Sequence, residues 1–472
     1  MSRSLLVGFV AGTVLCAALP LASLADAGRT APAADAAVKS RLVVLTDITS
    51  LSAGVREPDD GQSLIRLLVY ANDIDLEGLI ASSGLRHGQV VRPGLLHQAI
   101  EAYAEDLPNL RRHDPAYPDA KTLHALVKAG QPAAGPALPV HDSVGEGKDT
   151  DGSRAIVAAV DRADPRPLWI AVWGGAADLA QALWSVRATR DAERLATFVS
   201  RLRIDAVYDQ DSTGSWIREQ FPTLHYIVRH HGIRGMYRGG DPRLVDTAWV
   251  EAHVKGHGAL GRLYPVYSGG DVWSGKLGEV RGIKEGDTPS FLGLIPNGLN
   301  APLRRDYGGW GGRFTDDPIR PTEAVDPLPG YERDPHPAMA AIYRWRAAWQ
   351  ADFAARMDWC RGVPSRANHP PQPSLGGHSH SAPVQLQRAA GEHISLSAAG
   401  SRDPDGDALS FAWWVYTDAG GPATLDPTAG LRTTLNVPAD AAAGSEIHVI
   451  LEVTDDGQPA LTRYQRMVVA VR

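Results

Sequence analysis

From residue 41 to residue 229, short apolar runs alternate with stretches of helical periodicity. RLVVLT, IDLEGLIASS, PLWIAVW, LRIDAVYD and LHYIVR read as strands, the first of a fully buried type. Between them lie DGQSLIRLLVYA, PGLLHQAIEAYAEDLPNL, SRAIVAAVDRAD, AADLAQALWSVRA and SWIREQFP. In the first of these Leu64, Leu67 and Leu68 recur at helical spacing. Strands alternating with helices of this length predict an α/β fold, a mostly parallel sheet flanked by helices.

That alternation ends, and the rest of the chain reads differently. Met236–Asp334 is rich in Gly, Trp and Tyr and reads as loops over a site. HPAMAAIYRWRAAWQADFAARMDWC is a closing helix. Residues 363–383, RGVPSRANHPPQPSLGGHSHSAP with its neighbours, are rich in Pro, Gly, Ser and His and read as a linker. His378 and His380 fall in it. Residues 384–472 alternate as HISLSA, LSFAWWVY, LRTTLNV, IHVILEV and RYQRMVVAV, broken by DPDGD, PADAAAGS and DDGQPA. This predicts an all-β immunoglobulin-like sandwich. The expected organisation is therefore a domain over 41–362, the linker, and a small β domain. In LSFAWWVY, Phe411, Trp413 and Val415 share one face, and Trp414 and Tyr416 the other. The second pair is either a carbohydrate platform or a contact with the first domain.

The 472 residues are 44% hydrophobic and 21% charged, enough for a large core in two or three domains. A net charge of −7 points to neither a basic nucleic-acid surface nor a polybasic membrane patch. The N-terminus pairs Arg3 with an apolar run, Leu5–Leu21, and small residues at Ala25 and Ala27. Residues 1–27 are expected to be a secretory signal peptide, residues 28–40 a flexible lead, and the protein periplasmic or secreted. Cleavage would leave Cys360 as the one cysteine, with no internal disulfide.

Three carboxylates gather where the first strand meets the first helix. Asp47 ends RLVVLT, and Asp59 and Asp60 open the helix in EPDDGQSLIRLLVYAN. Ligands in open α/β sheets bind beyond the carboxyl ends of the strands, where Asp47 sits. Close carboxylates repel unless a cation joins them, and hard oxygen ligands suit Ca²⁺ or Mg²⁺. Helix capping explains one of the three, not the set.

A strand-end Asp followed by an Asp-Asp pair resembles the nucleoside hydrolases. The longer pattern LTDITS…EPDDGQSLIRLLVYANDIDLEGLIASS, GEGKDTDGS, PLWIAVWGGAADLAQALW, YDQDSTGSWIREQFP and EGDTPSFLGLIPNGLN resembles one bacterial branch of that superfamily. Its members are nucleoside-hydrolase-like proteins known as cellulose-binding, with a C-terminal β domain. The resemblance covers about Arg41–Cys360.

It implies that Asp47 and Asp60 bind a metal, expected to be Ca²⁺. The Trp173 carbonyl and Asp287 would complete the set. Asp59 would contact a sugar hydroxyl and act as base, paired in catalysis with Asp60. Asp209 and Asp211 would hold the far side of the sugar, with Lys148 and Asn297 on the substrate side. The implied reaction is hydrolysis of an N- or O-glycosidic bond in a small sugar conjugate or a polysaccharide. Such cleavage passes through an oxocarbenium-like transition state.

Two departures from the superfamily pattern matter. Eleven residues separate Asp47 from Asp59, so their loop must bulge and return, bringing Glu57 to the site. Gly286 precedes Asp287 where many nucleoside hydrolases place a leaving-group His. His87 and His141 are the alternatives for that proton. Trp173, Trp216, Trp273 and Trp310 are candidates to line a sugar pocket. Asp403, Asp405 and Asp407 suit a tight turn or a calcium site. The rival to an enzyme is a carbohydrate-binding protein on a hydrolase scaffold. A homo-oligomer fits either reading.

Overall fold

The computed structural model describes residues 39–54, 57–84, 90–133, 135, 137–269, 280–315, 322–328, 337–379 and 381–472. The expected signal peptide, nearly all of the lead, His87, Trp273 and His380 lie outside them. Among the described residues no helix is long and apolar enough to cross a membrane.

Six strands form one parallel sheet: β1 (Ser40–Thr46), β2 (Ile74–Ala81), β3 (Val127–Ala129), β4 (Leu168–Val172), β5 (Leu202–Val207) and β6 (His225–Arg229). Their order is β3-β2-β1-β4-β5-β6. Helices α1 (Asp59–Val69), α2 (Pro93–His113), α3 (Ala120–Leu126), α4 (Asp151–Asp161), α5 (Ala177–Thr189), α6 (Ala192–Ser200) and α7 (Thr213–Gln220) connect them.

The apolar run of β1 serves two cores. Leu42 and Val44 pack with α1 and α2, while Val43 and Leu45 pack with α4 and α5 on the opposite face. A strand covered on both faces has no place for polar alternation. Strand order reverses at β1, whose neighbours are β2 and β4, so a crevice opens beyond the ends of β1 and β4.

The described residues of the stretch read as loops, Met236–Asp334, are largely built into the core instead. The stretch carries α8 (Thr247–His253), α9 (Gly258–Leu263), α10 (Pro289–Leu292) and β7 (Phe314–Thr315), which pairs with β8 (Thr322–Glu323). Val250, Leu260, Phe291, Leu299 and Trp310 are fully buried. Its glycines permit tight turns between short helices, and this masks the apolar pattern in the sequence. The closing helix is two pieces, α11 (Ala340–Tyr343) and α12 (Arg346–Trp359).

The C-terminal part is a sandwich of two sheets. One has the order β10-β13-β12 and the other β11-β14-β15-β9. The strands are β9 (Val384–Arg388), β10 (His393–Ser397), β11 (Ser410–Val415), β12 (Thr424–Asp426), β13 (Arg432–Asn436), β14 (Glu446–Thr454) and β15 (Thr462–Val471). Alternation works here as it should: Ile447, Val449, Leu451 and Val453 of β14 fill the inner core with Trp413 and Met467. Ile450, Tyr416 and Tyr464, on the other side, join the core of the α/β part.

Trp414 and Tyr416 therefore belong to a joint. Trp345 packs against both, tilted to the first and edge-on to the second, with ring centroids 5.6 and 5.8 Å away. Arg463 pairs with Asp352 at 2.7 Å and Arg344 with Asp418 at 2.8 Å. The segment 363–383 is pinned along the way. The Trp359 indole donates to the Asn368 carbonyl at 2.9 Å, the Gln372 and Arg402 backbones pair, and Leu375 is buried in the sandwich core.

Candidate functional site

Why Asp287 meets Asp59 and Asp60 across the sequence is answered by α1. Its buried Gln62 donates to the carbonyls of Pro265 and Gly282 and accepts from the Lys284 backbone at 2.7 Å. Ser63 accepts from Thr288 at 3.0 Å, and Arg66 pairs with Glu285 at 2.5 Å, both groups fully buried. The polar face of the helix thus holds the whole 282–288 stretch against its own first turn. Ser290 fixes the far side, accepting from the Trp173 indole at 2.9 Å and donating to the Asp287 carbonyl at 2.6 Å.

Asp47 follows β1 directly, while Thr46 Oγ1, at the end of that strand, donates to Asp60 Oδ1. Trp173 N donates to the Leu45 carbonyl, aligning the ends of β1 and β4. Two glycines make room for Asp47. A Cβ on Gly84 would lie 1.7 Å from Asp47 Oδ2, and one on Gly174 would lie 2.8 Å from Asp47 Cβ. No larger residue fits at either place without moving the carboxylate.

Carboxylate oxygens of Asp59, Asp60 and Asp287 lie within 4.8 Å of one another. Burial, then repulsion from Asp60 and Asp59, pushes Asp47 well above the usual carboxylate range. Asp287 is raised by burial and by Asp60, Asp59 and Asp47. Burial lifts Asp60 to about 7, with Asp59 adding to it. Burial also lifts Asp59 to about 6 against the pull of Lys284. Asp287 Oδ2 is buried with no hydrogen-bond donor. An all-oxygen set with an orphaned buried lone pair fits a hard divalent cation such as calcium.

These groups line a cavity of about 230 Å³ at the strand ends. Glu57 lines it too, so the long loop does return, with Glu57 3.4 Å from the Lys284 ammonium. Asp209 lines it and is held by a two-pronged bond from Arg218 at 2.6 and 2.9 Å. Trp173 forms part of the wall, and its carbonyl accepts from the Gln210 side-chain amide. A carbonyl has a second lone pair to offer.

Other expected residues are not among those lining the cavity. Asp211 accepts from the backbone and hydroxyl of Thr213, at the start of α7. Lys148 lies in the loop that Gln181 clamps through Gly145 and Asp149. Asn297 accepts from the backbones of Leu299 and Asn300, and its carbonyl from Tyr464 of the sandwich. His141 is exposed. Trp216 packs on Phe221, and Trp310 is buried near Arg463.

Sequence reasoning missed Tyr208, Gln210, Arg234, Tyr237 and Lys284, all of which line the cavity. Tyr208 takes φ 61°, the one positive φ outside glycine among the described residues, and its hydroxyl accepts from Arg234 at 2.5 Å. Strained backbone of this kind gathers at functional sites. A signal existed for Tyr208 and Gln210, which directly follow a strand end in YDQDSTG.

The parallel sheet with an acidic crevice at its switch point defines a nucleoside hydrolase-like protein. Within that class the chain belongs to the family of cellulose-binding Sde182 proteins, whose nucleoside hydrolase-like domain matches residues 41–314. The C-terminal domain of cellulose-binding protein Sde0182 matches residues 393–471. A solved nucleoside hydrolase-related hypothetical protein from Saccharophagus degradans, associated with carbohydrate metabolism, is 33% identical with a TM-score of 0.77. The match covers 92% of this chain and 100% of that one. An endo-fucoidan hydrolase of glycoside hydrolase family 107 is 21% identical over 19% of this chain and 13% of its own, with a TM-score of 0.15, too little to carry an argument. No curated protein matches the chain.

Proposed function

We propose that this chain is an exported, metal-dependent glycosyl hydrolase, cleaving an N- or O-glycosidic bond in a small sugar conjugate or a polysaccharide. One observation carries the reading: Asp47, Asp59, Asp60 and Asp287 converge on one cavity. Pure binding has no need of three buried acids and a half-buried fourth that repel one another, which are costly to assemble.

Asp47, Asp60 and Asp287 would hold calcium, with Asp59 beside them. When bound, the cation would neutralise these acids and polarise a water beneath the anomeric carbon. Asp59, half-buried at the wall of the cavity, would act as the general base toward an attacking water. Thr46 keeps the Asp60 carboxylate turned toward its neighbours. Asp209, fixed by Arg218, accepts from a sugar hydroxyl. The ring of carboxylates favours the positive charge that develops on the sugar. Tyr208 and Arg234 are among the polar groups of the lining that would meet a leaving group.

The test is reducing-sugar release from a panel of nucleosides and plant-derived glycosides, with and without chelator, together with calcium calorimetry. Asp59→Asn is expected to lower the rate by about 10²–10⁴-fold. Asp60→Ala is expected to abolish a tight calcium site. A second reading, a cellulose-binding protein on a hydrolase scaffold, is favoured by Gly286 in place of a His. Intact protein that binds no calcium, releases no sugar and sediments with insoluble cellulose would establish that reading and end the first.

A further inference from the structure

A second group of acids lies in the sandwich, in the loop that leads into β11. DPDGD sets Asp403, Asp405 and Asp407 at alternate positions, and their carboxylate oxygens lie within 4.8 Å of one another. A turn accounts for part of this. Asp403 Oδ1 accepts from the backbones of Asp405 at 2.8 Å and Asp407 at 3.1 Å, and Gly406 takes φ +86°. It leaves Asp403 Oδ2 buried with no donor.

An independent residue points to the same place. Asp455 follows β14, is 3% exposed, and sits beside the loop because Ser410 pairs with Thr454. Its Oδ1 is saturated by Asn368 Nδ2 at 2.8 Å and by the backbones of Leu461 at 2.9 Å and Gly457 at 3.0 Å. Its Oδ2 is buried and accepts nothing. Asp455 lies close enough to Asp403 and Asp407 for their charges to interact. Among the described residues no Arg or Lys pairs with Asp403, Asp407 or Asp455, and His369 pairs only with Asp405 in this group. A buried carboxylate beside other carboxylates, with one oxygen unused, is stabilised by a cation or a proton.

We propose that Asp403, Asp405, Asp407 and Asp455 form a calcium site separate from the cavity in the α/β part. Carboxylates from a short loop and a strand end give the hard, adaptable oxygen set that calcium takes. Asp455 is bonded to Asn368, and Asp405 accepts from the His369 backbone at 2.7 Å. The site therefore fastens the segment leaving α12 to the mouth of the sandwich, and its role is structural.

The test uses the full chain carrying Asp60→Asn, so that the first cavity does not contribute. Calorimetry with Ca²⁺ is expected to find one tight site, and calcium to raise the melting temperature. Adding Asp403→Asn and Asp407→Asn is expected to weaken binding by at least about tenfold and to remove the thermal shift. Asn keeps the side-chain oxygen that the turn needs. Asp407→Asn alone serves if the combined variant does not fold. No calcium binding by the Asp60→Asn chain, or binding that these Asn variants leave unchanged, overturns the site. Equal affinity for Mg²⁺ overturns the assignment to calcium.

Discussion

Asp59 and Asp60 are held above their ordinary value of 3.8, at about 6 and about 7. In the unfolded chain they would titrate near the ordinary value, so between these limits the folded state binds more protons. Their contribution to stability without metal is then greatest at low pH and falls as pH rises through the folded values. A cation reverses the penalty by pairing with the ionised forms. Calcium is therefore expected to raise the melting temperature more at about pH 8 than at about pH 5, where protons compete for the same oxygens. Thermal scans at both values, with calcium or chelator, check this. An equal shift at both would show that these acids do not hold the ion. Asp47, Asp59, Asp60 and Asp287 were legible in the sequence, because each stands at a strand end, a helix start or a recognisable motif. Lys284 and Arg234 were not. Each enters the cavity from a segment whose placement depends on distant bonds, such as that of Gln62 to Lys284.

Among the elements, α4 shows how a local rule fixes a boundary. Thr150 caps it, accepting from Ser153 N at 2.9 Å, while Ser153 Oγ accepts from Thr150 N at 2.9 Å. Thr150 also donates to the buried Asp178 at 2.5 Å. Thr150→Ala is expected to cost about 1–2 kcal/mol in urea unfolding, as a lost cap with a second bond should. A change below about 0.3 kcal/mol would show that the cap is replaced. Most strands of the sheet and sandwich were readable for the same reason, since period and turn residues are local, but the short β3 and β12 and the edge strand β9 were not. The segment 363–383 was not. Its composition signals a linker, but Asn368, Gln372 and Leu375 find partners that composition does not encode.

At the scale of the molecule, residues 36–472 form one compact unit. Trp345 meets Trp414, Tyr416 and Tyr464, and the buried Asp352 pairs with Arg463. Intact protein is expected to unfold in urea in one transition, coincident by tryptophan fluorescence and far-UV circular dichroism. A chain ending at residue 383 is expected to aggregate, because it takes Arg463 away from the buried Asp352 and bares Trp345. Two separated transitions, or a monomeric truncated chain on gel filtration, would contradict this. β15 is central to that unity. It is an inner strand of its sheet, yet Tyr464 N and Arg466 N donate to the carbonyls of Asn297 and Gly298 at 2.9 and 3.0 Å. β15 thus completes a turn laid down long before it in the chain. During synthesis the N-terminal part must wait, unfinished, until β15 has been made.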